Sequence, residues 1–167
     1  MGSDALPALL GNRAIFTFGV EDCADELRVV RFTGHEAISA LFEFRVEIAA
    51  STLPLDALVG KPAVLTIEGL QATRHIHGLV CEAGYLGESP SYTLYELTLV
   101  PALWRLHQRT NCRVFQQQTT PQILARTLDA AGISRTGYRL DLSASYAPRD
   151  YCVQYRESDL DFISRLM

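Results

Sequence analysis

The sequence predicts an α+β chain that is mainly β: a small antiparallel barrel or sandwich, followed by a helix-containing segment. Three observations predict it. Residues 41–48 alternate cleanly, with Phe42, Phe44, Val46 and Ile48 on one face and Glu43, Arg45 and Glu47 on the other, the mark of a half-buried strand. Similar runs recur through the first hundred residues between short turn signals. After Pro101 the pattern changes, and Thr120-Pro121 opens an apolar repeat at helical spacing.

Taken in order, 13–18 is β-branched and aromatic and reads as the first strand. Residues 26–32 form a second, closed by Thr33-Gly34, and 41–48 the third. Pro54 to Gly60 reads as a helical turn or loop ending in glycine. Ala63 to Ile67 is a short apolar strand with a turn at Glu68-Gly69. Thr73 to Tyr85 and Ser91 to Val100 read as longer strands, with Gly87 and Pro90 assigning 84–91 to the loop between them. Leu103 to Gln108 reads as a short helical piece. Thr120 suits a helix N-cap and Pro121 the first helical position. Ile123, Leu124, Thr127, Leu128 and Ala131 follow at helical spacing, and Gly132 is placed to end the helix. Tyr138 to Leu142 and Tyr151 to Tyr155 read as strands. Ser158-Asp159-Leu160-Asp161 resembles a capping box, and Leu160, Ile163, Leu166 and Met167 begin an amphipathic helix. The chain stops inside that apolar face, so the expectation is a fragment, or a last helix that docks at once on something else.

Lys+Arg is 15 and Asp+Glu is 19, a net charge of −4, which excludes the basic field of a general nucleic-acid binder. No apolar run reaches the ~18 residues of a transmembrane helix. The N-terminus has no basic n-region, so no secretory signal is read. Cys23, Cys81, Cys112 and Cys152 form no C-x-x-C pair and read as reduced thiols, with Cys112 and Cys152 as small core residues.

Candidate chemistry is sparse. His75, His77 and Cys81 fall on one strand face and could line up as zinc ligands, but no fourth ligand is near. Histidines exposed or packed beside a glycine explain the pattern more simply. Glu157, Asp159 and Asp161 could offer paired carboxylates, yet acids gather at a helix N-terminus for its dipole alone. Arg105, Arg109 and Arg113 have i, i+4 spacing and read as a solvated face. Ser89, Ser91 and Ser158 lie in no nucleophile elbow, and Trp104 reads as core or interface. No catalytic, cofactor-binding or metal-binding residue is expected.

An ordered series of motifs resembles VgrG proteins, the spike-tip proteins of type VI secretion. Tyr95 to Leu106 resembles their strand followed by P-x-L-W-x-L, here Pro101 and Trp104. Cys112-Arg113-Val114-Phe115-Gln116 resembles their C-R-[IV]-F-Q passage. The run from Tyr151 to Met167, with Tyr155, Glu157, Phe162 and Arg165, is the most specific match. "LFEFRVEI", "LVGKPAVLTI" and "HIHGLV" agree more weakly, the last placing His77 and Gly78 as ordinary family features. These ten residues, His77, Gly78, Pro101, Trp104, Arg113, Phe115, Tyr155, Glu157, Phe162 and Arg165, are expected to be structural.

The resemblance implies a phage-tail-hub-like β-barrel and no enzyme. It implies a tail or expression remnant at 1–12, a first hub-like barrel at 13–109, and at 110–167 the start of an intervening α/β region cut within a helix. The implied role is the N-terminal hub part of a trimeric spike that caps the inner tube of a contractile injection machine and supports effector delivery. The implied partners are its own copies, a hexameric inner-tube protein and effector proteins, with no nucleic acid and no membrane-spanning segment. The implied location is the bacterial cytoplasm, then export through the apparatus to the exterior or a target cell. The alternative is the hub or late-control protein of a phage or phage-like tail, and a remote one is a metal-binding enzyme module on His75, His77 and Cys81.

Overall fold

The computed structural model describes residues 14–167. The expected tail at 1–12, and Arg13, lie outside them. The chain divides between Pro101 and Ala102 into two compact units.

The first unit is one six-stranded antiparallel sheet and a helical turn. Its strands are β1 (Ile15–Val20), β2 (Arg28–His35), β3 (Glu43–Ala50), β4 (Pro62–Glu68), β5 (Thr73–Ser89) and β6 (Tyr92–Val100), with α1 (Leu55–Leu58) between β3 and β4. The order across the sheet is β1-β4-β5-β6-β3-β2. The sheet curls, and its edge strands β1 and β2 meet through Phe16 and Phe32, whose rings stand edge-on at 5.1 Å. Phe32 continues to Phe44 and Phe44 to Phe42. An aromatic seam thus closes the curl where no ladder joins the two edges. The alternation read in 41–48 is the packing observed: Phe44, Val46 and Ile48 are buried, and Glu43 and Arg45 are exposed. Leu65, Val80, Leu97 and Leu99 complete a fully buried centre, where each apolar side chain contributes about 1.5–3 kcal/mol of transfer free energy.

The loop expected at 84–91 is instead strand. β5 runs on to Ser89, and only Pro90 and Ser91 form the turn. Two irregularities explain this. Pairing with β6 skips a residue between Val80 and Glu82, and again between Tyr85 and Gly87. Such bulges twist a long strand, and the glycines that suggested a loop sit in it without leaving the ladder.

The second unit pairs β7 (Thr110–Gln118) with β8 (Arg149–Ser158) as an antiparallel ribbon. The helices are α2 (Trp104–His107), α3 (Thr120–Ala130) and α4 (Asp159–Ser164). The helix expected from Thr120-Pro121 is present, but its cap lies one residue earlier. Thr119 accepts from the Gln122 backbone N–H at 3.4 Å, while the Gln122 side chain accepts from the Thr119 N–H at 2.8 Å. The full capping box outcompetes Thr120 as a cap, because glutamine stands three residues after Thr119. At the other end Gly132 adopts φ +75°. Its N–H reaches the Asp129 carbonyl, and the Ile133 N–H reaches the Leu128 carbonyl, each at 3.0 Å. This is a Schellman closure, in which glycine takes the left-handed position without Cβ strain. The strand expected at 138–142 does not form. Tyr138 and Leu140 do pack on the core of this unit, but the segment joins neither edge of the two-stranded β7–β8 ladder.

Among the described glycines Gly78 lies closest against backbone. A Cβ there would overlap the Val100 carbonyl oxygen, and nothing lies within 4 Å of one at Gly84. Gly78→Ala is expected to cost about 1–3 kcal/mol by overpacking, and Gly84→Ala to stay within about 0.5 kcal/mol. Urea denaturation followed by circular dichroism checks both. Equal midpoints for the two variants would contradict this packing.

Candidate functional site: a buried carboxylate and its arginine–aromatic frame

The second unit concentrates most of the residues singled out by motif, and each arrives there from a definite local cause. Strand alternation on β7 sends Arg113 and Phe115 inward, and on β8 it sends Cys152 and Gln154 inward. Ser158 then ends β8 and caps α4, accepting from the Asp161 N–H at 3.0 Å and donating to the Asp161 carboxylate at 2.6 Å. This is the capping arrangement anticipated at Ser158-Asp161.

The cap places Asp159 at the first position of α4, with no solvent exposure. Its Oδ1 accepts from Asn111 Nδ2 at 2.9 Å, from Gln154 Nε2 at 2.8 Å, and from the Arg113 guanidinium. Its Oδ2 faces Arg109 Nε at 3.4 Å, within ion-pair range but without a hydrogen bond. Its own N–H donates to the Arg109 carbonyl at 2.8 Å. Arg109 also donates to the Ala130 carbonyl at the end of α3. One carboxylate thereby ties β7, β8, α4 and the residue before β7 together. A charge buried this deeply is tolerable only with such a set of charged and hydrogen-bonding partners. The solvated-face reading of Arg105, Arg109 and Arg113 is therefore corrected. Arg109 and Arg113 converge on Asp159 because β7, not a helix, carries the chain past residue 110.

An aromatic pair lies beside the carboxylate. The Phe115 and Phe162 rings stack at 5.4 Å and 13°. Arg113 and Arg126 each stand 5.7 Å from the Phe115 ring, and Arg165 stands 5.0 Å from that of Phe162, within cation–π range. Arg165 also grips Glu157, with Nε to Oε2 at 2.9 Å and Nη2 to Oε1 at 2.7 Å, and donates to the Val153 carbonyl at 2.6 Å. The Arg165 hydrogen bonds hold the Glu157 carboxyl below the ordinary carboxylate range against a smaller opposing effect of burial. The guanidinium of Arg165 is held correspondingly high, first by its hydrogen bond to Glu157.

Of the ten motif residues, Arg113, Phe115, Glu157, Phe162 and Arg165 thus form one frame. Tyr155 does not join it, because it lies on the outward row of β8 and is exposed. Trp104 is half-buried in α2. His77 and Gly78 lie on β5 in the first unit, and Pro101 follows β6. Asn111, Gln154 and Asp159 are the frame residues that motif reading passed over. For Asn111 and Gln154 the sequence signal is a polar residue on a strand's inward row, legible only once the strand is known; Asp159, read from sequence only as an acid at a helix N-terminus, opens α4 and is buried.

The other candidates do not assemble. His75 and His77 share an exposed row with ring centroids 6.2 Å apart, and His75 Nδ1 bonds the Thr66 hydroxyl at 3.0 Å. Cys81 sits at the bulge after Val80, so the regular alternation does not carry to it. Burial pushes its thiol upward, aided by Glu43 and Glu82. Among the described residues no three His, Cys, Asp or Glu side chains are grouped to hold a metal. Cys152 is buried as expected, but Cys112 is exposed, since it shares the outward row of β7. A groove of about 400 Å³ lined by Gly19, Val20, Glu21, Pro62, Val64 and His77 brings together no nucleophile with a base.

Asp159→Asn preserves shape and removes the charge, leaving Arg109 and Arg113 facing a neutral amide. The expected cost is about 2–4 kcal/mol, somewhat below that of breaking a fully buried pair because both arginines keep some contact with water. Glu157→Gln, at a partly exposed pair, is expected to cost under about 1 kcal/mol. Urea titration followed by Trp104 fluorescence, which reports on the second unit, ranks them. Equal midpoint shifts would contradict the central place of Asp159.

Residues 35–167 match the family described as phage tail baseplate hub (GPD). The type VI secretion system spike protein VgrG4b of Pseudomonas aeruginosa is 42% identical over 159 residues, covering 93% of this chain and 19% of that protein. The actin cross-linking toxin VgrG1 of Vibrio cholerae is 39% identical over 164 residues, covering 90% of this chain and 15% of that protein. The chain thus spans about one-fifth or less of the length of these curated relatives. Among solved structures, an E. coli component of the type VI secretion system, described as structurally similar to the T4 bacteriophage tail proteins gp27 and gp5, superposes with a TM-score of 0.75 at 24% identity. That match covers 90% of this chain and 42% of the other. A tail protein from Neisseria meningitidis gives a TM-score of 0.63 at 13% identity, covering 90% of this chain and 43% of its own. These two likenesses carry the fold, a curled, mainly antiparallel β structure with helical additions. On the match across residues 35–167, the chain belongs to the phage tail baseplate hub (GPD) family.

Proposed function

We propose that this chain is a structural part of a contractile injection machine, the N-terminal hub region of a type VI spike that caps the inner tube. The observation that carries the reading is the architecture of the second unit. Its polar and aromatic motif residues are spent on one another, around Asp159 and between Phe115 and Phe162. That frame rigidifies a small body and presents no reacting pair, which suits a part working by shape and contact area. The identity of 42% to a protein named as a type VI spike supports the spike over a phage-like tail. The Neisseria tail protein shares the fold at only 13%.

In this reading residues 13–109 act as the first hub-like barrel, and 110–167 begin the region that follows it. The chain works as a trimer within the longer protein, meets a hexameric inner-tube protein, and supports carriage of effector proteins. It is made in the bacterial cytoplasm and leaves the cell through the apparatus. No helix among the described residues is long and apolar enough to cross a membrane. A toxin activity, as named for the Vibrio relative, belongs in this reading to parts outside these residues.

Export driven by sheath contraction is the direct test. With antibody to this chain, the polypeptide carrying it is expected in the supernatant of unlysed source cells and to vanish from it when the sheath gene is deleted. A protein retained equally by both strains would overturn the proposal.

A further inference from the structure

His75 and His77 are the motif residues that neither the buried frame nor the proposed role absorbs. Two residues apart on β5, they share one row of the strand, and both are exposed. Ile76 between them is buried, which fixes the outward direction of that row. Arg74 lies on the other row, where its guanidinium holds the Glu36 carboxylate at 2.6 and 2.8 Å. β6 ends opposite Leu79, so the ladder beside the two histidines is β4 alone. There Thr66 stands opposite His75 and Val64 opposite His77. Gly19 of β1 faces Val64 in turn. With no side chain at that position, the groove of about 400 Å³ beside His77 stays open.

We propose that His75 and His77 form an open two-histidine site for a divalent transition metal. Imidazole nitrogen suits copper, nickel and zinc, and copper(II) is bound most tightly of the three. Two observations carry the proposal. The first is spacing. The ring centroids stand 6.2 Å apart at 45°. Two imidazoles on one metal, at about 2.0–2.1 Å per bond, bring their centroids to about 5 Å. The second torsion of histidine is broad, so exposed rings close that difference without moving β5. The second observation is the partner of His75. Its Nδ1 lies 3.0 Å from the hydroxyl of Thr66, which is buried. With Nδ1–H donating to that oxygen, the lone pair is on Nε2, the arrangement common to metal-bound histidines. Cys81 is no third ligand, because the bulge after Val80 interrupts the row, and among the described residues no three His, Cys, Asp or Glu side chains are grouped. Two protein nitrogens leave the remaining positions to water, unlike a closed structural zinc site. Glu21 lines the groove beside His77 and adds a negative field that draws a cation. The inference goes beyond the spike role and does not depend on it.

Isothermal titration of the tag-free chain with Ni2+ tests it. Nickel is the probe because it does not oxidise the exposed thiol of Cys112. One equivalent is expected to bind. His75→Gln and His77→Gln are each expected to weaken it at least about tenfold, since the second imidazole acts at high effective concentration. The double variant should be little weaker than either single one, which is the signature of one chelated ion. His35→Gln and His107→Gln, at the other two histidines of the chain, should bind as wild type. Thr66→Val is expected to lose about tenfold with both histidines in place, and Thr66→Ser to recover it. If Thr66→Val melts early, the histidine variants, both at exposed positions, decide the matter alone. Unchanged affinity in His75→Gln or His77→Gln would overturn the inference. So would two independent weak equivalents lost one at a time, or loss of binding in Cys112→Ser.

Discussion

Successive side chains on a strand must point to opposite faces, and much of this molecule follows from that constraint. In the first unit it commits Val46, Ile48, Leu65, Leu97 and Leu99 to a centre with no solvent exposure. The same pleat obliges Glu43 and Arg45 to face water. In the ribbon it divides one short pair of strands into a face that builds the buried frame and a face that stays outside. Shifting either ribbon strand by one residue would exchange Phe115 with Val114, or Gln154 with Val153, and destroy both faces together. One bulge accompanies that register. Arg156 takes φ +50° beside the irregularity at Asn111 and Cys112, and Gln117 takes φ +50° near the far end of β7. Each is a non-glycine residue in the left-handed region, a local cost the packing must outweigh.

Within the second unit the inward face is unusual in holding a charge. A buried ion pair adds little stability over an apolar replacement, but removing one partner is expensive. Asp159 is best understood in those terms. It accepts from β7 through Asn111 and Arg113 and from β8 through Gln154, and it faces Arg109. An apolar residue there would strip Arg109 and Arg113 of their carboxylate and take an acceptor from Asn111 and Gln154, so the arrangement is coupled around this one side chain. The stacked pair of Phe115 and Phe162 lies beside it and supplies the apolar half of the same joint.

How far this could be read from the sequence depended on whether each signal was local. The β3 alternation, the turn at α1 and the Ser158 cap were legible because a few neighbouring residues determine them. Gly84, Gly87 and Pro90 misled for the same reason. They are turn residues locally, but pairing with β6 holds them in a strand, and only Pro90 is in the turn. Tyr138 and Leu140 showed a true inward row, yet alternation alone does not make a strand, and this segment pairs with neither β7 nor β8. β7 gave almost no periodic signal, because its inward row mixes Arg113 with Phe115 and its outward row mixes Cys112 and Gln116 with Val114. Its motif likeness marked the passage without giving its conformation. The Asp159 frame was invisible for a further reason. Its β7 members, Arg113 and Asn111, stand 46 and 48 residues from Asp159, and nothing local pairs them with it.

The two units share the division that the pleat imposes. The outward row of β3 is charged, that of β8 carries Tyr151, Val153 and Tyr155, and chemistry on the inward side goes to holding those faces in shape. Hydroxyl-radical footprinting of this chain tests this most directly, with Tyr151 and Tyr155 on the outward row and Phe115 and Phe162 in the buried stack as the reporting side chains. Strong oxidation of both tyrosines, with both phenylalanines protected, is the outcome this account requires. Equal oxidation of all four would contradict it, because the ribbon would then have no inward face.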